Sequence, residues 1–353
     1  FSMKNILALD GGGIRGIIPA MVLVALEEKL QKQTMDTNAR IASYFDFIAG
    51  TSSGGILTSI LLYPEEGNPA QPKFSARDAL NLFVNHGTEI FNASKWRHFL
   101  GGFGLVSELY SPIPLSNVLE KYFQNARLSH LIKPCIITAY NIELRKNHFF
   151  RQQKAITHGE ARDFYLKDVC RATSAAPTFF PVAEIYSLSK TRYPLIDGGV
   201  FAQNPSICAL LEVLKAFNST QINDMFMVSL GTGVSKTAYN YEHFKKNLAI
   251  QIGPALVDIM TSASSESTEF FIRQLFRSNG KQQNYLRIEP ANLSSIDASL
   301  DAASTNNIQK LISLSDKIIS ENEDTLDYIV AHLIKEKNQN EKKNPWSRLM
   351  NKF

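Results

Sequence analysis

Apolar positions along the chain fall into short runs of strand length that alternate with longer helical stretches. Lys4–Leu9 is apolar after its first two residues and ends at Asp10 and three glycines, which predicts a buried strand. Ile17–Leu30 then has the length and apolar content of a buried helix. Tyr44–Ala49 predicts a second strand and Gly54–Leu62 a second helix. Pro134–Tyr140 and Met225–Leu230 are further strands, and Tyr193–Ile196 is strand-like. Asn307–Ile319 and Thr325–Ile334 have the periodicity of amphipathic helices. Strands alternating with helices predict an α/β fold of three layers, α/β/α, with a mainly parallel central sheet. Pro64–Lys73 reads as a loop, and the Ser/Thr-rich Thr261–Thr268 as a mobile segment. Neither has the character of a domain boundary. One domain over residues 4–335, followed by a tail over 336–353, is the simplest organisation.

Composition narrows the class. The 353 residues are 44% hydrophobic and 20% charged, which excludes a disordered or fibrous chain. Cys135, Cys170 and Cys208 show no paired spacing and read as buried thiols in a reducing compartment. The longest apolar run, Ile17–Leu26, is interrupted by Pro19 and is too short for a membrane span, which needs about 18 residues. No secretory leader is expected ahead of Ile6, so the protein is expected in the cytoplasm. The net charge of +4 resides in the tail. Lys335, Lys337, Lys342, Lys343, Arg348 and Lys352 outnumber Glu336 and Glu341 there, and the rest of the chain balances to zero. A neutral body argues against a large nucleic-acid-binding face.

Three motifs carry chemistry. Gly50-Thr51-Ser52-Ser53-Gly54 lies between a predicted strand and a predicted helix, the context that turns G-x-S-x-G into a nucleophile elbow. Small flanks at Gly50 and Gly54 let the backbone turn tightly while the Ser52 hydroxyl stands exposed. Asp10-Gly11-Gly12-Gly13-Ile14-Arg15-Gly16 also joins a strand to a helix. Its successive N–H groups, at a helix N-terminus, form an anion site. For acyl transfer that anion is an oxyanion, and one such donor stabilises its transition state by about 2.7–4 kcal/mol. Arg15 opposes the helix dipole and is best explained by an anion, either the oxyanion or a substrate phosphate. Gly11, Gly13 and Gly16 equally satisfy G-x-G-x-x-G, so a dinucleotide-binding oxidoreductase is the alternative. Its ribose-binding acid would be Asp36, which does not lie at a strand end. The third motif is Asp197-Gly198-Gly199, at the end of a strand-like run.

The base that activates Ser52 is left open by the residues themselves. His243 or His332 would complete a Ser, Asp, His order with Asp197. Alternatively Asp197 acts directly, with desolvation raising its basicity.

The three motifs in this order resemble the patatin-like phospholipase family, and in particular its smaller bacterial members. Arg171–Pro177, Ser229–Gly233 and Tyr285–Ile288 add to the likeness, which runs from about residue 4 to about residue 335. The resemblance implies a patatin-like fold and a serine lipid acyl hydrolase of phospholipase A or lysophospholipase type. It implies a Ser–Asp dyad without histidine, with Ser52 as nucleophile and Asp197 as base. Gly11, Gly12, Gly13 and Arg15 then form the oxyanion loop, and phospholipid or another acyl lipid is the substrate. No metal or other cofactor is expected, since no cluster of His, Cys and carboxylates has ligand spacing. Two segments are candidates for lipid contact. Lys95–Leu105 mixes basic and bulky apolar residues with glycines. In the tail, Trp346, Leu349, Met350 and Phe353 fall on one helical face with lysines nearby, suited to a membrane surface, to the protein's own body or to a partner chain. A housekeeping lipase, a defence effector and a protein delivered into a host all fit this pattern.

Overall fold

A computed structural model describes residues 3–92, 110–217, 220–234, 238–241, 245 and 249–343. Strand β1 (Lys4–Leu9) runs into a glycine-rich turn and helix α1 (Ile17–Thr34). Strand β2 (Phe47–Thr51) leads into α2 (Ser53–Leu61), and α3 (Ala76–Ile90) follows. The segment predicted as a loop folds instead into a small antiparallel hairpin, β3 (Pro64–Glu65) with β4 (Asn68–Pro72). Helix α4 (Ile113–Phe123) precedes β5 (Cys135–Asn141) and β6 (Lys146–Arg151). Helices α5 (Gln152–His158) and α6 (Leu166–Thr173) precede β7 (Ala183–Tyr186) and β8 (Arg192–Asp197). Then come α7 (Gly199–Ala202), α8 (Ser206–Ala216), β9 (Met225–Leu230), α9 (Ala249–Ser278) and β10 (Tyr285–Ile288). Helices α10 (Thr305–Glu321) and α11 (Glu323–Lys343) complete the described chain. Helix α11 continues without a break past residue 335, where the tail was expected to start. Residues 344–353, with Trp346, Leu349, Met350 and Phe353, and all of Lys95–Leu105 lie outside the described residues.

The main sheet has the order β10-β9-β1-β2-β5-β8-β7, with β6 on β5. β10, β9, β1, β2 and β5 form a parallel ladder, whereas β6 and β8 run antiparallel to β5. Strand side chains alternate between two cores. Leu7, Leu9 and Ile48 face a core shared with α1, α2, α3 and α10. Ile6, Phe47 and Ala49 face the opposite core, with Ala209, Leu210 and Val213 of α8 and Ile272 and Phe276 of α9. Burial on both faces explains why the parallel strands read as continuous apolar runs rather than alternating ones. The Ser/Thr-rich stretch is no loop. Thr261–Thr268 lies inside α9, where Ser264 donates a hydrogen bond to the Phe201 carbonyl at 2.9 Å and Ser265 and Thr268 are buried. Small side chains there let α9 approach α7 closely.

Contact with β1 fixes α2. A Cβ built on Gly54 would stand 2.1 Å from the Leu9 carbonyl oxygen, a main-chain atom that cannot swing away. Gly54→Ala is therefore expected to destabilise the fold by at least about 2 kcal/mol through overpacking. Urea unfolding followed by circular dichroism, showing a lower midpoint at unchanged slope, checks this.

Candidate active site

Strand pairing brings the second and third motifs together. Residues 136–141 of β5 pair with β6 along one edge. Along the other edge β2 pairs as far as Thr51 with Thr138, and β8 takes over from the opposite direction at Asp197 with Ala139. Thus β2 and β8 meet end to end on one edge of β5. Ser52 leaves the top of one strand as Asp197 closes the other. Both side chains line one cleft, and the Ser52 hydroxyl lies close enough to favour the ionised Asp197 carboxylate.

Ser52 has φ 54° and ψ −122°, in the left-handed half of backbone space that a serine rarely occupies. Such a residue costs on the order of 1–3 kcal/mol and persists only where its surroundings over-determine it. A hydroxyl lattice does so here. The Ser52 N–H donates to Thr173 Oγ1 at 2.9 Å, and the Thr173 hydroxyl donates to the Thr138 carbonyl at 2.6 Å. Thr51 Oγ1 lies 2.7 Å from Thr138 Oγ1 and donates to the Ala202 carbonyl at 2.6 Å. A Cβ on Gly198 would collide with Thr138 of this lattice, one on Gly199 with Gln203, and one on Gly50 with the Gly54 carbonyl and Thr58 of α2.

The glycine loop is held from behind. The Gly11 N–H donates to the Gln203 carbonyl at 3.0 Å, and its own carbonyl accepts from Gln203 Nε2 and from Thr232 Oγ1. Gly13 has φ 55°, and a Cβ there would lie 2.1 Å from the Leu300 carbonyl oxygen. The Ile14 N–H donates to that carbonyl, and the Arg15 N–H turns back to Gly12. Among the described residues the N–H groups of Gly12 and Gly13 are left without a protein acceptor. Both residues line the cleft that holds Ser52 and Asp197, whereas Gly11 does not. At the start of the loop, Asp10 forms a bidentate pair with Arg287, at 2.7 and 3.1 Å, with both side chains almost wholly buried. Burial raises the Asp10 carboxyl to about 6 despite that partner.

Arg15 is not where an oxyanion or substrate phosphate would meet it. Its guanidinium is buried behind the loop, in a second, smaller cavity with Asp10, Thr232, Ser265 and Glu289, and is absent from the lining of the Ser52 cleft. Loss of hydration lowers its pKa to about 10.

The cleft has a cavity volume of about 70 Å³. Polar groups cluster at one end, with Gly12, Ser52, Asp197 and Gln203. The remainder is apolar and aromatic, including Leu82, Phe83, Phe91, Phe179 and Phe180. Burial in that setting raises the Asp197 carboxyl from an ordinary 3.8 to about 7, against the opposing hydrogen bonds from the Ser52 hydroxyl and the Gly199 N–H. No described histidine lines the cleft. His332 is stacked on Phe226 and bonded to Asn5, near the opposite end of β1, and burial lowers its pKa to about 4. His148 sits among Phe150, Phe164 and Tyr193 and is likewise held near 4 by burial. His243 lies outside the described residues. The oxidoreductase alternative loses its acid, because Asp36 follows the left-handed Met35 at the end of α1, and β2 ends at Thr51 and leads into Ser52. Thr138, Thr173, Gln203 and Thr232 gave no signal in the sequence, although Thr173 and Thr232 fall in stretches that contribute to the family likeness.

A parallel-centred α/β sheet with a strained serine between strand and helix defines the nucleophile-elbow class of α/β proteins. Within it, the family model described as patatin-like phospholipase matches residues 7–207, and the chain belongs to that family of lipid acyl hydrolases. Patatin-like protein 2 of Oryza sativa is 30% identical over 359 residues, covering 94% of this chain and 87% of the relative. Patatin-08 of Solanum tuberosum is 31% identical over 334 residues, covering 90% and 84%. Among solved structures, VipD of Legionella pneumophila aligns with a TM-score of 0.36 at 12% identity, over 90% of this chain and 67% of that one, a likeness too distant to add to the assignment.

A buried carboxyl with a raised pKa makes the fold pH-sensitive in a definite direction. The folded state holds the Asp197 proton up to about pH 7, whereas the unfolded chain releases it near 3.8. The group's contribution to stability is therefore complete at low pH and is lost as pH rises across that interval. Asp197→Asn is expected to raise Tm relative to the parent. The gap should widen from about pH 4 to about pH 7 and level off above, as measured by calorimetry across that range.

Proposed function

We propose that this chain is a serine lipid acyl hydrolase of phospholipase A or lysophospholipase type, acting through Ser52 and Asp197. The observation that carries this reading is the juxtaposition of a strained serine and a buried carboxylate of raised pKa in the lining of one mostly apolar cleft. Ser52 Oγ attacks the acyl carbonyl while Asp197 accepts the hydroxyl proton. The carbonyl oxygen gains negative charge and is held by the N–H groups of Gly12 and Gly13. They are joined by the Ser53 N–H, which starts α2 and has no partner within that helix. Collapse of this intermediate breaks the bond to the alcohol, which takes the proton from Asp197. An acyl-serine remains. Asp197 then draws a proton from water, the hydroxide attacks the acyl carbonyl, and the fatty acid leaves as Ser52 recovers its hydrogen.

Asp197 suits both steps. An ordinary carboxylate is too weak a base to help a serine, and a base titrating near neutrality matches the working pH. Gly11 supports the loop rather than the oxyanion, because its N–H is already bonded to Gln203. The apolar wall of the cleft suits an acyl chain, and a phospholipid or related acyl ester is the substrate proposed. Its place of work is a lipid surface reached from the cytoplasm.

Ser52→Ala and Asp197→Ala are each expected to lower hydrolysis of a fatty-acyl ester by on the order of 10⁴-fold. No single His→Ala variant, compared at equal folded protein, should lose more than about tenfold. The kcat/KM of the parent should rise with pH to a midpoint near 7, set by Asp197. Lipid mass spectrometry of a mixed membrane extract, parent against Ser52→Ala, reads the products. Persistent turnover in Ser52→Ala would exclude the mechanism.

A further inference from the structure

Helix α9 carries an unusual amount of exposed apolar surface. Leu256, Ile259, Met260, Phe270 and Phe271 are all exposed, with Met260 at 54%, Phe270 at 60% and Phe271 at 53%. At 100° per residue these positions fall within one stripe, because residues eleven apart return to nearly the same direction. Ile259 lies above Phe270 and Met260 above Phe271. Exposed Ala263 and Ser267 fill the gap between them without interposing charge. The only acidic residue at the margin of the stripe is Glu266, and Arg277 follows at its C-terminal end. The other exposed apolar side chains among the described residues, such as Met35, Ile113, Leu144 and Leu211, are spread over separate elements.

The same helix borders the active-site cleft. Val257 and Thr261 contribute to the lining that includes Ser52 and Asp197. At 100° per residue they sit about 100° and about 140° around α9 from the centre of the stripe. An apolar side chain resting on the stripe is therefore one helix flank away from the apolar wall of the cleft.

We propose that the exposed face of α9 is the surface by which the protein docks on a lipid bilayer, with the helix lying in the interface and delivering acyl chains past Val257 into the cleft. Three observations favour lipid over a second copy of the chain. The stripe is one helix wide and about 22 Å long, from residue 256 to residue 271. Its side chains expose on the order of 500 Å², below the roughly 800 Å² that each partner of a stable dimer buries. The helix that carries it also lines, through Val257 and Thr261, a cleft whose wall is mostly apolar. No described helix is long and apolar enough to cross a membrane, so contact by a helix lying flat is the geometry available to α9. Identification of the substrate rests on the hydrolase reading, whereas the docking does not require turnover.

The test compares the full-length parent with F270S/F271S for partition onto phosphatidylcholine vesicles, for vesicle hydrolysis and for hydrolysis of a soluble short-chain ester. The double variant is expected to partition about tenfold or more weaker and to lose vesicle hydrolysis in proportion at low lipid, with soluble-ester turnover unchanged. L256S/M260S, at the other end of the stripe, should show the same pattern and serves if the first variant does not fold. Equal partition of parent and variants, or a parent that does not bind vesicles, overturns the proposal. So does a parent that is dimeric and becomes monomeric in F270S/F271S. Partition lost in the variants while no protein hydrolyses any ester upholds the docking surface and overturns the hydrolase reading. Hydrolysis by a parent whose partition is indifferent to the variants does the reverse.

Discussion

Two strands share one edge of β5, and the site depends on that arrangement. β2 arrives from below and stops at Thr51, and β8 arrives from above and stops at Asp197, on consecutive residues of the same neighbour. A strand edge offers one hydrogen-bonding partner per position, so the two ends are forced to abut. Chain direction then does the rest. Ser52 continues from one end into α2, and the carboxylate of Asp197 faces it from the other. Ser52 and Asp197, 145 positions apart, are brought side by side by backbone pairing.

That junction is also where the fold accepts unfavourable local states. Ser52 occupies a strained backbone region, and Asp197 is a carboxyl removed from water. Each is maintained by surrounding hydrogen bonds. Thr51, Thr138 and Thr173 tie the elbow to β5 and α6, and the Gly199 N–H supports the carboxylate. The glycine loop is fixed in the same way, by Gln203 and Thr232 at Gly11 and by the Asp10–Arg287 pair at its start. The N–H groups of Gly12 and Gly13 stay unpaired while those of Gly11, Ile14 and Arg15 around them are bonded.

Local chemistry was legible where it is dictated locally. β1 and β9 have the limits expected from their apolar runs, and the elbow was readable because a tight turn demands small residues at fixed spacing. The mixed edge of the sheet was not, since β6 and β8 differ from parallel strands only in their partners. The Ser/Thr content of Thr261–Thr268 suggests mobility, but packing against α7 favours small side chains in a helix as strongly as a turn does. α3 begins at a capping box of Ser75 and Asp78, a local signature in the sequence ahead of its apolar face. The direction of Arg15 was equally out of reach, because sequence position fixes the backbone of a turn and not the side of it on which a long side chain is buried.

The sequence alone determined the layered α/β class, the turn that exposes Ser52 and the glycines that leave N–H groups free. These follow from backbone sterics and hydrophobic periodicity within a few residues. Only the tertiary structure decided that Asp197 meets Ser52, that the histidines described lie elsewhere and that one flank of α9 borders the cleft while another faces outward. Each of these depends on which strand pairs with which and on how deeply a side chain is desolvated. Those are properties of long-range contacts, and no spacing along the chain encodes them.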